Sequence, residues 1–280
     1  MTSRLLARRS TVVGFVIVVV LAAVALFASW LAPHDPTFVD PVRAFAGPSA
    51  KHWLGTDNLG RDLLSRLIYG ARWSLGLVLV ATCLIMSAGV AVGVAAGYVG
   101  GVVDDVLMRL VDTILSVPSL LLGLAIVGTL GPGIESLMIG LASIWWVSYA
   151  RVVRGLVIAL RERGFVDAAR ALGATDGRIV VRHILPGILP AIAVLASLEM
   201  GELVLAISGL SFLGLGAQPP TPEWGAMLND GRSFFFTAPQ LMLYPGLVIS
   251  VAVLGFNLLG DGLRDALDPA EASPIKGVGS

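Results

Sequence analysis

The sequence predicts an all-α membrane protein, a six-transmembrane-helix bundle with both termini cytoplasmic. Three observations predict it. The 280 residues are 56% hydrophobic and only 14% charged, whereas an ordinary soluble domain is about 25% charged. Apolar stretches long enough to cross a hydrocarbon core of about 30 Å as helices recur along the chain. The remaining charge is gathered into short polar connections, above all a basic insert over residues 161–186.

Residues 1–31 hold a cytoplasmic N-terminus with Arg4, Arg8 and Arg9, then a first span over 12–31. That apolar run is too long for an ordinary signal peptide, and Ala32-Pro-His-Asp-Pro36 behind it reads as a helix stop, so it is expected to stay as an anchor. Residues 32–73 are expected to form an extracytoplasmic loop. Leu63, Leu64, Leu67 and Ile68 recur there at helical spacing among Arg61, Arg66 and Arg72. The pattern suits either a helix lying on the membrane surface or one packed on the rim of the bundle. Asp35, Asp40, Asp57 and Asp62 are read as solvated loop carboxylates.

Residues 74–267 read as a five-helix core. The second span, 74–97, carries Gly89, Gly93 and Gly97, a stripe of small residues that lets another helix approach closely. Asp104, Asp105 and Arg109 mark a polar turn before a third span over 110–130, broken at Pro118. After a tight turn at Gly131-Pro-Gly133, the fourth span starts at residue 136 and runs past Arg151 and Arg154. The fifth covers 187–212, a Pro- and Gly-rich connection follows over 213–240, and the sixth covers 241–260. Residues 268–280 are a cytoplasmic tail. With the N-terminus inside, the inner segments hold thirteen Lys and Arg and the outer segments six, which satisfies the positive-inside bias. Cys83, the single cysteine, falls in an apolar run and is read as a buried, inert thiol.

Enzymatic chemistry finds little footing. The only lysines are Lys51 and Lys276, and neither follows a Gly-rich phosphate loop, so any ATP chemistry must come from another polypeptide. His34, His52 and His183 lie in predicted loops with no metal-ligand spacing, and no metal site is expected. Net charge is zero, and no nucleic-acid partner is expected. Two carboxylates interrupt the fifth span. Glu199 and Glu202 share a helix face at i and i+3, and carboxylates at that depth must face protein or water. They line a translocation path or serve a structural hydrogen-bonding or ion-pair role at a subunit interface.

The basic insert, part of a cytoplasmic loop over 151–186, gives the sharpest signal. Residues 165–172 form a short helix, slim because of Ala168, Ala169 and Ala171. Gly173 then permits a turn that a Cβ would resist. Thr175 or Asp176 caps a second helix through Ile184, and Pro186 fixes entry to the next span. The result is a rigid knob held out from the bundle.

This loop resembles the EAA motif of ABC importer permeases, in which Glu-Ala-Ala is followed by three residues, Gly, nine residues and Ile-x-Leu-Pro. Here Asp167-Ala168-Ala169 precedes Arg170-Ala171-Leu172, Gly173, nine residues and His183-Ile184-Leu185-Pro186. Asp167 stands for Glu and His183 for Ile. Residues 52–66, 210–225 and 257–269 resemble signatures of the peptide and nickel branch. The resemblance implies a type I ABC importer permease fold in a prokaryotic inner membrane. It implies as partners a homologous permease subunit, two cytoplasmic ATPase subunits that bind ATP and Mg, and an extracytoplasmic substrate-binding protein. This chain itself would bind no cofactor and have no catalytic residue. Asp167 through Gly173 would be the ATPase-coupling element, supported by His183, Leu185 and Pro186. The substrate is expected to be a dipeptide or oligopeptide, with nickel or another chelated metal as the alternative. A secondary transporter would more typically show inverted repeats, and a membrane enzyme a catalytic set.

Overall fold

In the computed structural model, which describes residues 9–267, the described residues are mostly helical, with no strand among them. Arg4, Arg8, Lys276 and the tail over 268–280 lie outside the described residues. Helix α1 (Arg9–Leu26) is followed by the short α2 (Ala28–Leu31), and the long α3 runs Leu63–Val99. Next come α4 (Gly101–Leu115), α5 (Ser119–Leu130), α6 (Ile134–Ile144), α7 (Trp146–Arg161) and α8 (Gly164–Ala171). The chain ends with α9 (Asp176–Ile179), α10 (Leu185–Phe212), α11 (Trp224–Arg232) and α12 (Gln240–Leu267). Five helical segments are long and apolar enough to cross a membrane, and a sixth results if α4 and α5 count as one broken span.

The core forms where α3 crosses α7 and where α10 packs between α3 and α12, with α1 against α12. The glycine stripe explains the first crossing. A Cβ on Gly89 would sit 2.8 Å from the Tyr149 Cβ, and one on Gly93 2.6 Å from the Ala150 carbonyl oxygen. One on Gly97 would sit 2.8 Å from the Arg154 carbonyl oxygen. The two backbones therefore approach as only hydrogen-for-Cβ positions allow. Pro118 breaks the third span as expected: α4 and α5 meet at 83°.

Several expectations are corrected. No separate helix lies on the membrane surface over 62–73. The helix that starts at Leu63 continues without interruption to Val99, and its 37 residues extend about 55 Å. Its first turns therefore project past the hydrocarbon and bury Leu63, Arg66 and Leu67 against the bundle. Asp57 and Asp62 are buried and partnered, not solvated. Asp104, Asp105 and Arg109 are not in a turn but inside α4; the turn is one residue pair, Gly100 and Gly101, both at positive φ. The connection 213–240 contains α11, capped by the Glu223 carboxylate, which accepts from the N–H of Gly225 and Ala226. Cys83 is exposed on the face of α3 that turns away from the bundle.

The entry to α10 also differs. Pro186 sits in its first turn as expected, yet the chain does not break there. It passes from α9 through a π-helical turn, Val180–Ile184, in which Leu185 N–H donates to the Val180 carbonyl. Proline cannot donate to the carbonyl four residues back, so the wider turn keeps the helix continuous.

Candidate functional site

The basic insert forms the short helix and glycine turn its sequence describes, but Thr175, at the N-cap of the second helix, makes no side-chain cap hydrogen bond. In α8, Val166 points inward and joins Val153, Val157, Ile179, Ile184 and Ile188 in a buried cluster, with Ala169 and Leu185 packed on its edge. Asp167, Ala168, Arg170 and Ala171 face outward. Asp167 and Arg170 form a solvent-exposed pair at 3.5 Å, and Leu172 is 89% exposed. The helix closes with a Schellman motif: Ala174 N–H donates to Ala169 O at 3.1 Å and Gly173 N–H to Arg170 O at 3.0 Å. That geometry requires a left-handed residue at the turn, and Gly173 supplies it at φ +82°. His183, half-buried, lies with its ring 6.2 Å from the Phe165 ring.

The knob is tied to the end of α3, and beside it α7 is tied to α3 and α4. Tyr98, next to last in α3, donates its hydroxyl to Asp176 at 2.6 Å. Arg161 Nη1 donates to the Tyr98 carbonyl at 3.0 Å. Arg154 on α7 holds Asp104 on α4 through two contacts, at 2.5 and 2.6 Å, and Arg151 pairs with Asp112. Tyr98, Arg161, Glu162, Asp167, Arg170 and Asp176 line an open hollow of about 680 Å³ beside α8. The arrangement has the donors and acceptors of a docking surface and a direct mechanical link to α3, α7 and α10.

Glu199 and Glu202 are not brought to one surface. Glu199 is 1% exposed, and neither carboxylate oxygen has a hydrogen-bond partner among the described residues. Its neighbours on α10 meet α12 closely: a Cβ on Gly201 would lie 2.7 Å from Asn257 Oδ1. Glu202, by contrast, is exposed on the flank of α10.

At the opposite end of α3 the structure assembles a second polar site that sequence reading missed. Asp57 accepts from Arg61 Nε at 2.6 Å and lies 3.5 Å from Arg66 Nε. Both arginines also reach Asp230 of α11 at 3.4 Å. Trp224, fully buried, donates its indole N–H to the Leu67 carbonyl at 3.1 Å, and its backbone N–H to Ser74 Oγ at 3.1 Å. Asp62 caps α3 by accepting from the Ser65 N–H and hydroxyl, both at 2.8 Å. Burial opposes its charge, but those hydrogen bonds, one from His52 and the nearby His34 hold the carboxyl below the ordinary aspartate range. Part of the signal for this platform was present in residues 52–66, which supply Asp57, Arg61, Asp62 and Arg66, and in residues 210–225, which supply Glu223 and Trp224. The Arg61–Asp230 pair joins positions 169 residues apart, which local spacing cannot reveal.

Comparison with known proteins fits this architecture. Residues 89–272 match the family described as binding-protein-dependent transport system inner membrane component. Residues 1–48 match the N-terminal TM domain of oligopeptide transport permease C. The nickel transport system permease protein NikC of Escherichia coli K12 is 44% identical over 94% of this chain and 95% of its own length. The dipeptide transport system permease protein DppC of Alkalihalophilus pseudofirmus is 45% identical over 92% of this chain and 85% of its own. The glutathione transport system permease protein GsiD of Pectobacterium atrosepticum is 43% identical over 95% and 89%. Among solved structures, a chain of the MetNI methionine ABC transporter in inward-facing conformations superposes with a TM-score of 0.55. It covers 74% of this chain and 98% of its own at 21% identity, and it supports the fold alone.

Proposed function

We propose that this chain, which belongs to the family of binding-protein-dependent transport system inner membrane components, works as the permease half that converts ATPase closure into helix movement. It is a membrane permease subunit of the peptide and nickel type of ABC importer. The finer proposal places the knob in the cytoplasm, with Asp167 through Gly173 seated on an ATPase subunit that binds ATP and Mg. A homologous permease completes the path, and a binding protein delivers solute at the platform end.

The observation that carries the reading is the knob itself. An apolar Leu172 at 89% exposure, flanked by the half-exposed Phe165 and the Asp167–Arg170 pair, is a surface made to be covered. The Schellman turn and the continuous helix from Asp176 to Phe212 join the knob to α10 with no loop between them. Movement of the knob therefore reaches α10 directly, and α3 and α7 through Tyr98 and Arg161. Short peptides are the proposed solute: the DppC and GsiD relatives are named for a dipeptide and glutathione, a tripeptide, at identities equal to that of NikC.

The test is uptake in proteoliposomes that hold this chain with its permease and ATPase partners and the binding protein outside. Labelled dipeptide should enter only with ATP inside, and Leu172→Glu or Gly173→Pro should abolish uptake and ATPase retention without removing the chain from the bilayer. Wild-type uptake by both variants would sink the coupling assignment. Ni(II) uptake in place of dipeptide uptake would reassign the solute and leave the coupling assignment standing.

A further inference from the structure

The residues that close the platform loop converge on one point. Leu31 ends α2, Leu63 begins α3, and His34, His52 and Asp62 from the chain between them bring one ligand-type atom each to within 4.8 Å of one another. His52 Nδ1 lies 2.8 Å and His34 Nδ1 3.7 Å from the same oxygen, Asp62 Oδ1. The two imidazole rings stack with centroids 4.7 Å apart, so both nitrogens point at that oxygen from one side.

Asp62 divides its work. Its Oδ2 is committed to the Ser65 N–H and hydroxyl as the cap of α3, which leaves Oδ1 for the histidines. The same Ser65 hydroxyl accepts the His34 backbone N–H at 3.0 Å, so the segment that carries one ligand is fastened to the segment that carries another. His34 Nδ1 is buried and has no hydrogen-bond partner among the described residues, and at 3.7 Å its approach to Asp62 is too long for one. A buried imidazole nitrogen left unpaired beside a carboxylate lacks a positive centre. A proton gives one; a metal ion satisfies both nitrogens and the oxygen at once.

We propose that His34, His52 and Asp62 bind a first-row transition-metal dication of the Zn(II) class, which clamps the platform loop to the start of α3. Two imidazole nitrogens and one carboxylate oxygen are a borderline-soft donor set that suits such an ion better than Mg or Ca. Ligand atoms at about 2.0–2.2 Å from a tetrahedral ion stand roughly 3.3 Å from one another, between the 2.8 and 3.7 Å distances here. Small shifts of two side chains open the position. The fourth ligand is water from an open hollow of about 550 Å³ that His34 lines with Asp35, Tyr69, Trp73 and Pro222. His34, with 28% of its side chain exposed, is the entry side.

Binding requires the His52 proton on Nε2, which faces Arg43 Nη1 at 3.4 Å. Arg43 is half-exposed and already pairs with Asp40 at 3.4 Å, so it can swing away. The ion is a resident clamp and not cargo, because two of its three ligands, His52 and Asp62, are buried. The inference is independent of the coupling assignment and of the solute.

Full-length chain, purified in detergent without a polyhistidine tag, would be stripped of metal and titrated with Zn(II). Wild type should take up about one equivalent saturably, with a rise in melting temperature. His34→Gln should lose at least about tenfold in affinity and all of the Zn-dependent rise, read against its own metal-free melting temperature because the substitution also removes the ring stack on His52. Cys83→Ser should bind as wild type. Zn(II) should also shield His34 and His52 of the wild-type chain from diethylpyrocarbonate, read by mass spectrometry, a readout that needs no variant. Absence of saturable uptake, equal uptake by His34→Gln, or modification of both histidines unaffected by Zn(II) would each overturn the site.

Discussion

The two ends of α3 handle charge in opposite ways. At the platform end Arg61, Arg66, Asp57 and Asp62 are all buried; the arginines are joined to Asp57 and Asp230, and Asp62 to Ser65 and His52. At the knob end Asp167 and Arg170 stand in solvent beside an uncovered Leu172. Buried charge tolerates no missing partner, whereas exposed charge loses little when its partner goes. The platform is therefore complete within the subunit, a fixed anchor for two motif segments. The knob is incomplete by itself, and its stability is nearly separate from its use.

Removing one carboxylate at each end should expose that difference most sharply. Asp57→Ala leaves Arg61 and Arg66 buried with Asp230, at 3.4 Å, as their remaining carboxylate, a loss expected to cost about 3–5 kcal/mol. Asp167→Ala removes a pair at 3.5 Å in solvent and should stay within about 0.5 kcal/mol. Thermal unfolding of the two purified variants, followed by fluorescence-detected size exclusion, measures both. Equal losses would refute the contrast.

Two glycines refine it at the next level of effect. Gly60 at φ +76° and Gly173 at φ +82° both occupy the left-handed region, where a Cβ costs roughly 1–2 kcal/mol. At Gly173 nothing lies within 4 Å of the added Cβ, so Gly173→Ala should pay only that backbone term. At Gly60 the Cβ would meet the Asp40 carbonyl oxygen at 1.8 Å, a collision only backbone movement relieves. Gly60→Ala should thus melt well below Gly173→Ala in the same assay. The reverse order would mean that the platform yields more readily than its packing implies.

What the chain declares locally differs from what only folding brings together. Six apolar stretches, the break at Pro118, the glycine stripe over 89–97 and the turn at Gly173 were legible because each depends on residues within a few turns of one another. The platform was not. Asp57 and Asp62 sit in a Pro- and Gly-rich loop, where a carboxylate is normally solvated, yet Asp57 is buried with Arg61 and Arg66 beside Asp230, and Asp62 with His52 and Ser65. The His34–His52 stack joins residues whose sequence spacing matches no metal motif. Cys83 was misread for a related reason: in a membrane bundle the outward face of a helix is as apolar as the core, so hydrophobicity does not separate inside from outside. The split between Glu199 and Glu202 has the same origin, since i and i+3 share a face of α10 but lie on either side of the line where α12 covers it.

The smallest effect concerns Glu223, which caps α11 within the platform. The groups that face it are neutral donors, the N–H groups of Gly225 and Ala226 and the hydroxyls of Ser211 and Ser74, and burial pushes its carboxyl above the ordinary glutamate range despite them. A carboxyl raised in the folded state binds its proton more tightly there than in the unfolded chain, so its contribution is fully present below the unfolded value. It is then lost as pH rises from that value through the folded one. Glu223→Gln removes this titration and keeps a neutral acceptor, at the price of a constant offset for the lost oxygen. The melting temperature of the wild type should therefore fall relative to Glu223→Gln as pH rises from near 4.5 toward neutrality, and the knob variant Asp167→Asn should show no such trend against wild type. Parallel curves for wild type and Glu223→Gln would mean that the platform carries this carboxylate ionised throughout, held by its neutral donors alone.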